Sequence, residues 1–155
     1  MNKAKIYLAS PFFTEEQREV KARVKKHLEK IISSENMEIA DPQRVSDPFN
    51  SEKENTQWGS ETYYKDVQLL KSCDAVVAID WGLYGDCGTA FEVGYAMALQ
   101  KNVFVICPKV VTSQPHSLMV ANGCDNFMIE DRFLTTCCYG DLFNLDYLAK
   151  GVVQK

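Results

Sequence analysis

The sequence predicts an α/β fold, a single domain over residues 1–155 built on one doubly wound parallel sheet of five strands. Three observations indicate this. Apolar runs of strand length alternate with longer stretches of helical periodicity, as in parallel sheets with helical crossovers. The central runs are apolar without alternation, which is typical of strands buried on both faces. The length of 155 residues also suits one domain with a full core.

Apolar patterning predicts the first three elements. The run at 5–10 is short and apolar and ends at a Ser-Pro step, so it indicates the first strand. A helix then begins with Thr14 as its cap and continues to Ile32, because apolar side chains recur there at intervals of three and four residues. The run at 37–43, closed by Asp-Pro, predicts the second strand.

The pattern in the middle of the chain predicts two loops, two helices and the central strand. Residues 44–57 are polar and indicate a surface loop, and a helix covers 59–72. The run at 74–80 is continuously apolar in its middle and predicts a strand buried on both faces. A glycine-rich loop at 81–88 and a helix at 89–100 follow.

Two further strands complete the sheet. They are predicted at 102–108 and 126–130, and the tail from 142 to 153 is weakly helical. Doubly wound sheets bind ligands outside the carboxyl ends of their strands. We therefore expect the functional site among the segments that follow the strands: 10–13, 41–43, 80–88 and 108–119.

Composition excludes several classes of protein. The formal net charge is −4 and no basic stripe is present, which argues against a nucleic-acid partner. No stretch reaches the roughly 18 apolar residues of a membrane span, and the first ten residues are too quickly polar for a secretory signal. The six cysteines lack metal-binding spacing, so we expect free thiols in a reducing cytoplasm.

The glycine-rich loop raises the possibility of a bound nucleotide cofactor. It contains neither G-x-x-x-x-G-K-[ST] nor G-x-G-x-x-G. Asp86 would also repel a phosphate at the start of the following helix. We therefore expect neither a cofactor nor a metal ion.

One carboxylate, Glu92, lies within the apolar stretch DCGTAFEVGYA (86–96), and two interpretations compete for it. Thr89 and Glu92 have the T-x-x-E spacing of a capping box, in which Glu reaches back to the first backbone N–H groups. Alternatively, Glu92 is a reactive carboxylate at the mouth of a pocket. The local pattern alone favours the capping box.

Four separated blocks carry a resemblance that favours the second interpretation. KIYLASPFF, YYKDVQLLKSCDAVVAI, DCGTAFEVGYA and PHSLM occur in the order and at roughly the spacing of the nucleoside 2-deoxyribosyltransferase family, over about residues 4–130. The resemblance implies a flavodoxin-like fold. It also implies exchange of the base of a 2′-deoxynucleoside through a covalent deoxyribosyl-enzyme, so the expected partners are small deoxynucleosides and free bases.

The resemblance implies a catalytic role for four residues. Glu92 matches the nucleophile, and Tyr7 matches a tyrosine that hydrogen-bonds it; the alternative for Tyr7 is an ordinary strand aromatic. Asp66 matches an aspartate that binds sugar hydroxyls, although a helical Asp is usually a solvated surface group. Asp86 matches an acid that faces the base, its alternative being a turn or N-cap aspartate.

Other residues are expected to bind the substrate. Phe12 and Phe13 match an aromatic pair that packs on the base, although one of them could instead pack in the core. The expected substrate-binding residues are Ser10, Phe12, Phe13, Gln43, Gly88, Ser117 and Met119. The last two lie in a segment that family members lend to a neighbouring subunit, so the resemblance implies a homo-oligomer with shared sites.

The sequence departs from the transferase pattern at Ser117, where the family's transferases commonly have Asn. Serine there resembles the related 2′-deoxynucleoside 5′-monophosphate N-glycosidases, but those tend to have serine where this chain has Asp86. The leading hypothesis is a transferase acting on free nucleosides. The alternatives are an N-glycosidase, in which Ser10, Ser117 and His116 would meet a 5′-phosphate, and a non-catalytic nucleotide-binding module.

Overall fold

The computed structural model describes residues 4–32, 37–45, 55–137 and 142. Strands and helices alternate along the chain. In order they are β1 (Ala4–Ala9), α1 (Glu15–Ile32), β2 (Met37–Ala40), α2 (Pro42–Val45), α3 (Asn55–Ser72), β3 (Ala75–Ile79), α4 (Cys87–Ala98), β4 (Asn102–Cys107), α5 (Leu118–Gly123), β5 (Asn126–Ile129) and α6 (Glu130–Thr136). Short 3₁₀ turns at Gly82–Tyr84 and Lys109–Val111 follow β3 and β4.

The five strands form one parallel sheet in the order β2-β1-β3-β4-β5, which confirms the predicted fold class. From β1 the chain moves outward to β2, then returns to place β3 on the other side of β1. Tyr7 of β1 is paired with Ala40 on one side and with Val76 on the other. The order of the strands reverses between β1 and β3, so a crevice is expected at their carboxyl ends.

Helices cover both faces of the sheet. On one face, α1 and α6 pack on side chains such as Ile6 and Leu8 of β1. On the other face, α3 and α4 pack on the alternate side chains, Tyr7 and Ala9. The alternation along β1 therefore directs the one polar aromatic of the strand towards α4, the helix that carries Glu92.

Two of the predicted boundaries differ by three residues or more. The second strand ends at Ala40 rather than at 43, because the side chain of Asp41 accepts from the Gln43 N–H at 3.2 Å and turns the chain into α2. The second long helix begins at Asn55 rather than at 59. The remainder of the predicted loop, 46–54, lies outside the described residues, as does the predicted helical tail apart from Leu142.

The other general features concern cysteines, membranes and metals. The five cysteines that the structure describes are free thiols, and Cys138 lies outside the described residues. Within the described part of the chain, no helix combines the length and apolarity needed to cross a bilayer. The same residues contain no cluster of three His, Cys, Asp or Glu side chains suited to a metal ion.

Candidate active site

The N-terminus of α4 is capped by Asp86. Its carboxylate Oδ2 accepts from the Thr89 backbone N–H at 2.9 Å and from the Thr89 hydroxyl at 3.2 Å. The helix therefore begins at Cys87, two residues before the predicted start. Thr89 is then the third residue of the helix, not its cap, so the predicted capping box of Thr89 and Glu92 is wrong.

Gly88 leaves room for the capping carboxylate. A Cβ added at Gly88 would lie 2.9 Å from Asp86 Oδ2, so a side chain there would make that carboxylate shift. Gly88 is exposed, which leaves the first turn of α4 open to a ligand as well as to the cap.

Glu92 lies on the next turn of α4 and contacts β1. The Tyr7 hydroxyl donates a hydrogen bond to Glu92 Oε1 at 2.5 Å. Tyr7 is fully buried between the paired strands β2 and β3, so its ring is held rigidly under the carboxylate. Burial and the negative charge of Glu92 raise the pKa of Tyr7, so the phenol keeps its proton and acts as a donor.

The electrostatic environment of Glu92 opposes its charge. The pKa of Glu92 is raised from 4.5 to about 7, chiefly because the buried carboxylate loses solvation that the protein does not fully replace. The hydrogen bond from Tyr7 lowers the pKa, while the charges of Asp66 and Asp86 raise it. At neutral pH, Glu92 is therefore balanced between its neutral and ionised forms, a property typical of functional carboxyl groups.

The four residues predicted to be catalytic thus lie together. Asp66, half-buried on α3, acts on the pKa of both Tyr7 and Glu92 through its charge. Asp86 acts on Glu92 in the same way. One strand and two helices that are far apart in sequence, β1, α3 and α4, converge here, at the point where the order of the strands reverses.

The predicted aromatic pair lies on the loop after β1. The rings of Phe12 and Phe13 stack with their centroids 5.0 Å apart. Both are exposed, at 40% and 67%, so the alternative that one of them packs in the core is wrong. Ser10, by contrast, is buried, and its hydroxyl donates to the Pro11 carbonyl oxygen at 2.8 Å.

Two further predicted residues, Ser117 and Met119, lie at the start of α5. Ser117 caps this short helix, and Met119 is 80% exposed beside the similarly exposed Leu118. The His116 ring is engaged on both sides, with Nδ1 2.7 Å from Asp80 Oδ2 and Nε2 3.2 Å from Cys107 Sγ. These contacts fix His116 against the ends of β3 and β4.

Comparison with known proteins identifies the family. Residues 6–134 match the family described as nucleoside 2-deoxyribosyltransferase. The chain belongs to this family. The 2-deoxyribosyltransferase of Bacillus psychrosaccharolyticus is 27% identical and superposes with a TM-score of 0.69, covering 90% of this chain and 96% of its own. No curated protein matches the chain.

Two more distant structures share the fold. A conserved protein of Enterococcus faecalis V583 is 17% identical, with a TM-score of 0.66 over 85% of this chain and 95% of its own. A CMP N-glycosidase of Clostridium botulinum is 15% identical, with a TM-score of 0.55 over 84% and 95%. The nucleoside 2-deoxyribosyltransferase family is one of glycosyltransferase and glycosidase type, and every predicted site residue lies within the matched range.

The sequence analysis missed a charged cluster at the same edge of the sheet. Lys21 of α1 is only 5% exposed and donates to Asp41 Oδ1 at 2.8 Å and to Gln43 Oε1 at 2.6 Å. The helical pattern contained the signal, because Lys21 lies one residue after Val20 and three before Val24, on the apolar face of α1. A lysine on the buried face of a helix requires a partner.

Proposed function

We propose that this protein is a nucleoside 2-deoxyribosyltransferase that moves a 2-deoxyribosyl group from a deoxynucleoside to a free base through a covalent ester on Glu92. The observation that carries the proposal is the hydrogen bond of 2.5 Å from the buried Tyr7 phenol to the Glu92 carboxylate at the carboxyl edge of the sheet. Membership of the family supports the class of reaction.

The reaction takes two steps. In the first, a Glu92 oxygen attacks C1′ of the deoxynucleoside, the C1′–N bond breaks, and the base leaves with the electron pair of that bond and takes up a proton. In the second, a nitrogen of the incoming base attacks C1′ and gives up its proton, the ester bond breaks, and Glu92 is released as a carboxylate, so the proton gained in the first step balances the proton lost in the second. Each step inverts C1′, so the product retains the configuration of the substrate.

The surroundings of Glu92 suit this cycle. A raised pKa of about 7 makes the carboxylate a stronger base and nucleophile than an exposed one, and still leaves about half of it ionised at neutral pH. Tyr7 fixes one oxygen by hydrogen bonding, so the other is directed at the sugar. Asp66 is assigned to the sugar hydroxyls and Asp86 to the base, as the resemblance implies.

The base is proposed to bind between α4 and the loop after β1. The exposed rings of Phe12 and Phe13 offer apolar surface on which a planar base packs. Gly88 leaves the turn before Glu92 open, and Gln43 lies at the rim of the same edge. Ser10 is assigned a supporting role in this loop, because its hydroxyl donates to Pro11 within the loop itself.

Free nucleosides are favoured over 5′-monophosphates as substrates. A phosphate needs unengaged donors, but both His116 nitrogens contact other protein groups and the Ser10 hydroxyl donates to a carbonyl. The charges of Asp66 and Asp86, which already raise the pKa of Glu92, would repel a dianion. The N-glycosidase hypothesis is therefore the second candidate, supported by Ser117 alone.

We further propose a homo-oligomer with shared sites. Leu118 and Met119 are 78% and 80% exposed, and large side chains so exposed beside one another are typical of a surface that another subunit covers. A second apolar cluster, Tyr63, Phe91 and Tyr95, joins the outer faces of α3 and α4. A neighbour's Ser117 and Met119 would close the 5′ side of the sugar and keep water from the ester.

The proposed exchange of bases takes place in the cytoplasm, where free thiols stay reduced.

Product analysis tests the proposed reaction. The protein is incubated with deoxyinosine and adenine in one tube and with deoxynucleoside monophosphates alone in another, and products are separated by chromatography. We expect deoxyadenosine in the first tube. Free base from the second tube alone would establish the N-glycosidase instead. No product in either tube with any base would leave a binding module.

Subunit mixing tests the shared site. Glu92→Ala and a Ser117/Met119 double variant are each expected to be inactive. When subunits are allowed to exchange, some interfaces combine an intact Glu92 with an intact neighbouring segment, so partial activity should return. No recovery after proven exchange, or a fully active monomer in sedimentation, would contradict the shared site.

A further inference from the structure

We infer that Lys21 is a positioning residue for the base: it holds the Gln43 side chain so that the amide NH₂, and not the carbonyl, faces the bound base. Gln43 then acts as a hydrogen-bond donor, and a base is accepted through an acceptor atom on its edge. This inference rests on the proposed function, since it concerns the base of the same reaction.

The hydrogen bonds of Lys21 close a ring around Gln43. Lys21 Nζ donates to Asp41 Oδ1 at 2.8 Å and to Gln43 Oε1 at 2.6 Å. The same Asp41 Oδ1 accepts from the Gln43 backbone N–H at 3.2 Å. The backbone and the side chain of Gln43 are therefore both anchored, although the residue lies on the surface at the start of α2.

The chemistry of lysine decides which end of the amide is held. A lysine ammonium has donors only, so it can bind the oxygen of a glutamine amide but never its NH₂ group. With Oε1 engaged by Lys21, the amide is left to offer a ligand the donor Nε2 and not the acceptor oxygen. An amide that could rotate freely would offer a donor or an acceptor equally well.

The same lysine also reaches the aromatic part of the proposed base site. Its Nζ lies 5.7 Å from the centroid of the Phe12 ring, within cation–π range, and Phe12 stacks on Phe13. Lys21 thus connects the loop after β1 with the turn after β2. Its charge also lowers the pKa of Glu92, so Lys21 lies within electrostatic range of that carboxylate.

Lys25 provides a matched control. It donates to Asp41 Oδ2 at 3.0 Å, so it shares the carboxylate with Lys21. Within the described residues it makes no hydrogen bond to Gln43. Lys25→Met and Lys21→Met each remove one charge and one hydrogen bond from Asp41, and each leaves the other lysine to pair with it. Only Lys21→Met releases the Gln43 amide.

A double-mutant cycle tests the inference in the intact protein. We expect Lys21→Met and Gln43→Ala each to raise the KM of the acceptor base about tenfold, the scale of one lost hydrogen bond, with less effect on kcat. The double variant should be no worse than either single one, because Lys21 acts through Gln43. Lys25→Met should leave the KM within about twofold, and its effect should add to that of Gln43→Ala. Additive effects of Lys21→Met and Gln43→Ala would overturn the inference.

A binding measurement separates this inference from the proposed function. The side-chain amide signals of Gln43 are followed by ¹⁵N NMR as adenine, hypoxanthine, cytosine and thymine are added, which requires no turnover. A base that binds should shift these signals in the wild type and in Lys25→Met, and should shift them far less in Lys21→Met. Equal shifts in all three proteins, or no shift with any base, would overturn the inference. Absence of transfer by a wild type that still shows the expected shifts would overturn only the proposed reaction.

Discussion

Helices α1 and α4 begin with the same spacing of residues and use it for different purposes. In α1, Thr14 Oγ1 accepts from the Gln17 N–H at 3.1 Å, and Gln17 Oε1 accepts from the N–H groups of Phe13 and Thr14 at 2.9 and 3.2 Å. This is a reciprocal capping box. In α4, Thr89 and Glu92 have the matching spacing, yet Glu92 accepts from Tyr7 on another element.

The difference comes from one residue upstream. Asp86 accepts a hydrogen bond from the Thr89 N–H, so α4 begins two residues before the predicted start. In a capping box that same N–H would have donated to Glu92, so Asp86 has taken the place of Glu92 as its acceptor. Glu92 is then in the second turn, where the backbone needs no side-chain acceptor. A carboxylate that is released from capping is available for chemistry, whereas Gln17 of α1 is committed to the backbone.

The largest expected effect separates these two residues by activity. Glu92→Ala should lower kcat by at least about a thousandfold, because it removes the group that forms the covalent bond. Gln17→Ala, at the matching position of α1, should change kcat less than about threefold and cost about 1 kcal/mol of stability. Steady-state kinetics and urea unfolding of both variants provide the measurement. A Glu92→Ala protein that keeps more than a few per cent of wild-type activity would refute the role of the carboxylate.

A second difference concerns stability and pH. Glu92→Gln keeps an acceptor for Tyr7 but can never ionise. Above pH 7 this variant should be roughly 3 kcal/mol more stable towards unfolding than the wild type, because one unit of pKa shift corresponds to about 1.4 kcal/mol. The folded pKa is raised from 4.5 to about 7, so the wild type loses stability as pH rises through that interval. The advantage of Glu92→Gln should therefore largely vanish at pH 5.

Urea unfolding at pH 5 and pH 8 measures this advantage. Gln17→Ala is the control, because its cost should be the same at both values of pH. A Glu92→Gln protein that is equally stable relative to the wild type at pH 5 and pH 8 would mean that folding leaves the pKa of Glu92 unchanged.

These two helix starts also explain what the sequence could and could not predict. Periodicity predicted every strand and the long helices, because burial on two faces leaves a clear apolar pattern. The start of α4 was misplaced because both Asp86 and Thr89 are good caps, and only the packing of the helix on the sheet selects one. The place of Lys21 on the apolar face of α1 indicated a buried lysine that needs a partner. The partner, Asp41, could not be predicted, because the hydrogen bond joins residues from different elements and a single sequence carries no direct signal for such a pair.

A third, intermediate effect concerns the Tyr7 hydroxyl, which donates a hydrogen bond to Glu92 of α4; the matching residue of α1, Gln17, accepts from backbone N–H groups instead. Tyr7→Phe removes the hydrogen bond that lowers the pKa of Glu92, so that pKa should rise above about 7 and the acid limb of the rate profile should move to higher pH. At pH 6.5 we expect kcat/KM to fall about tenfold, with a smaller loss at pH 8. The pH dependence of kcat/KM measures this. A parallel loss at every pH would instead assign Tyr7 to packing alone.

The smallest expected effect compares the two threonines by one substitution. Thr14→Val removes the cap of α1, so it should cost about 1 kcal/mol in unfolding free energy. Thr89→Val keeps the buried methyl group and leaves the Asp86 cap in place. It loses only the hydrogen bond of 3.2 Å from the Thr89 hydroxyl to Asp86 Oδ2, an acceptor that the Thr89 backbone N–H also uses. Its cost in unfolding free energy should therefore stay below about 0.5 kcal/mol. Urea unfolding at pH 7 of both variants and of Asp86→Ala completes the test, since Asp86→Ala should resemble Thr14→Val. If Thr89→Val proved as costly as Thr14→Val while Asp86→Ala cost little, α4 would begin at Thr89 after all. The Glu92 carboxylate would then be needed to cap the helix and would be less available for chemistry.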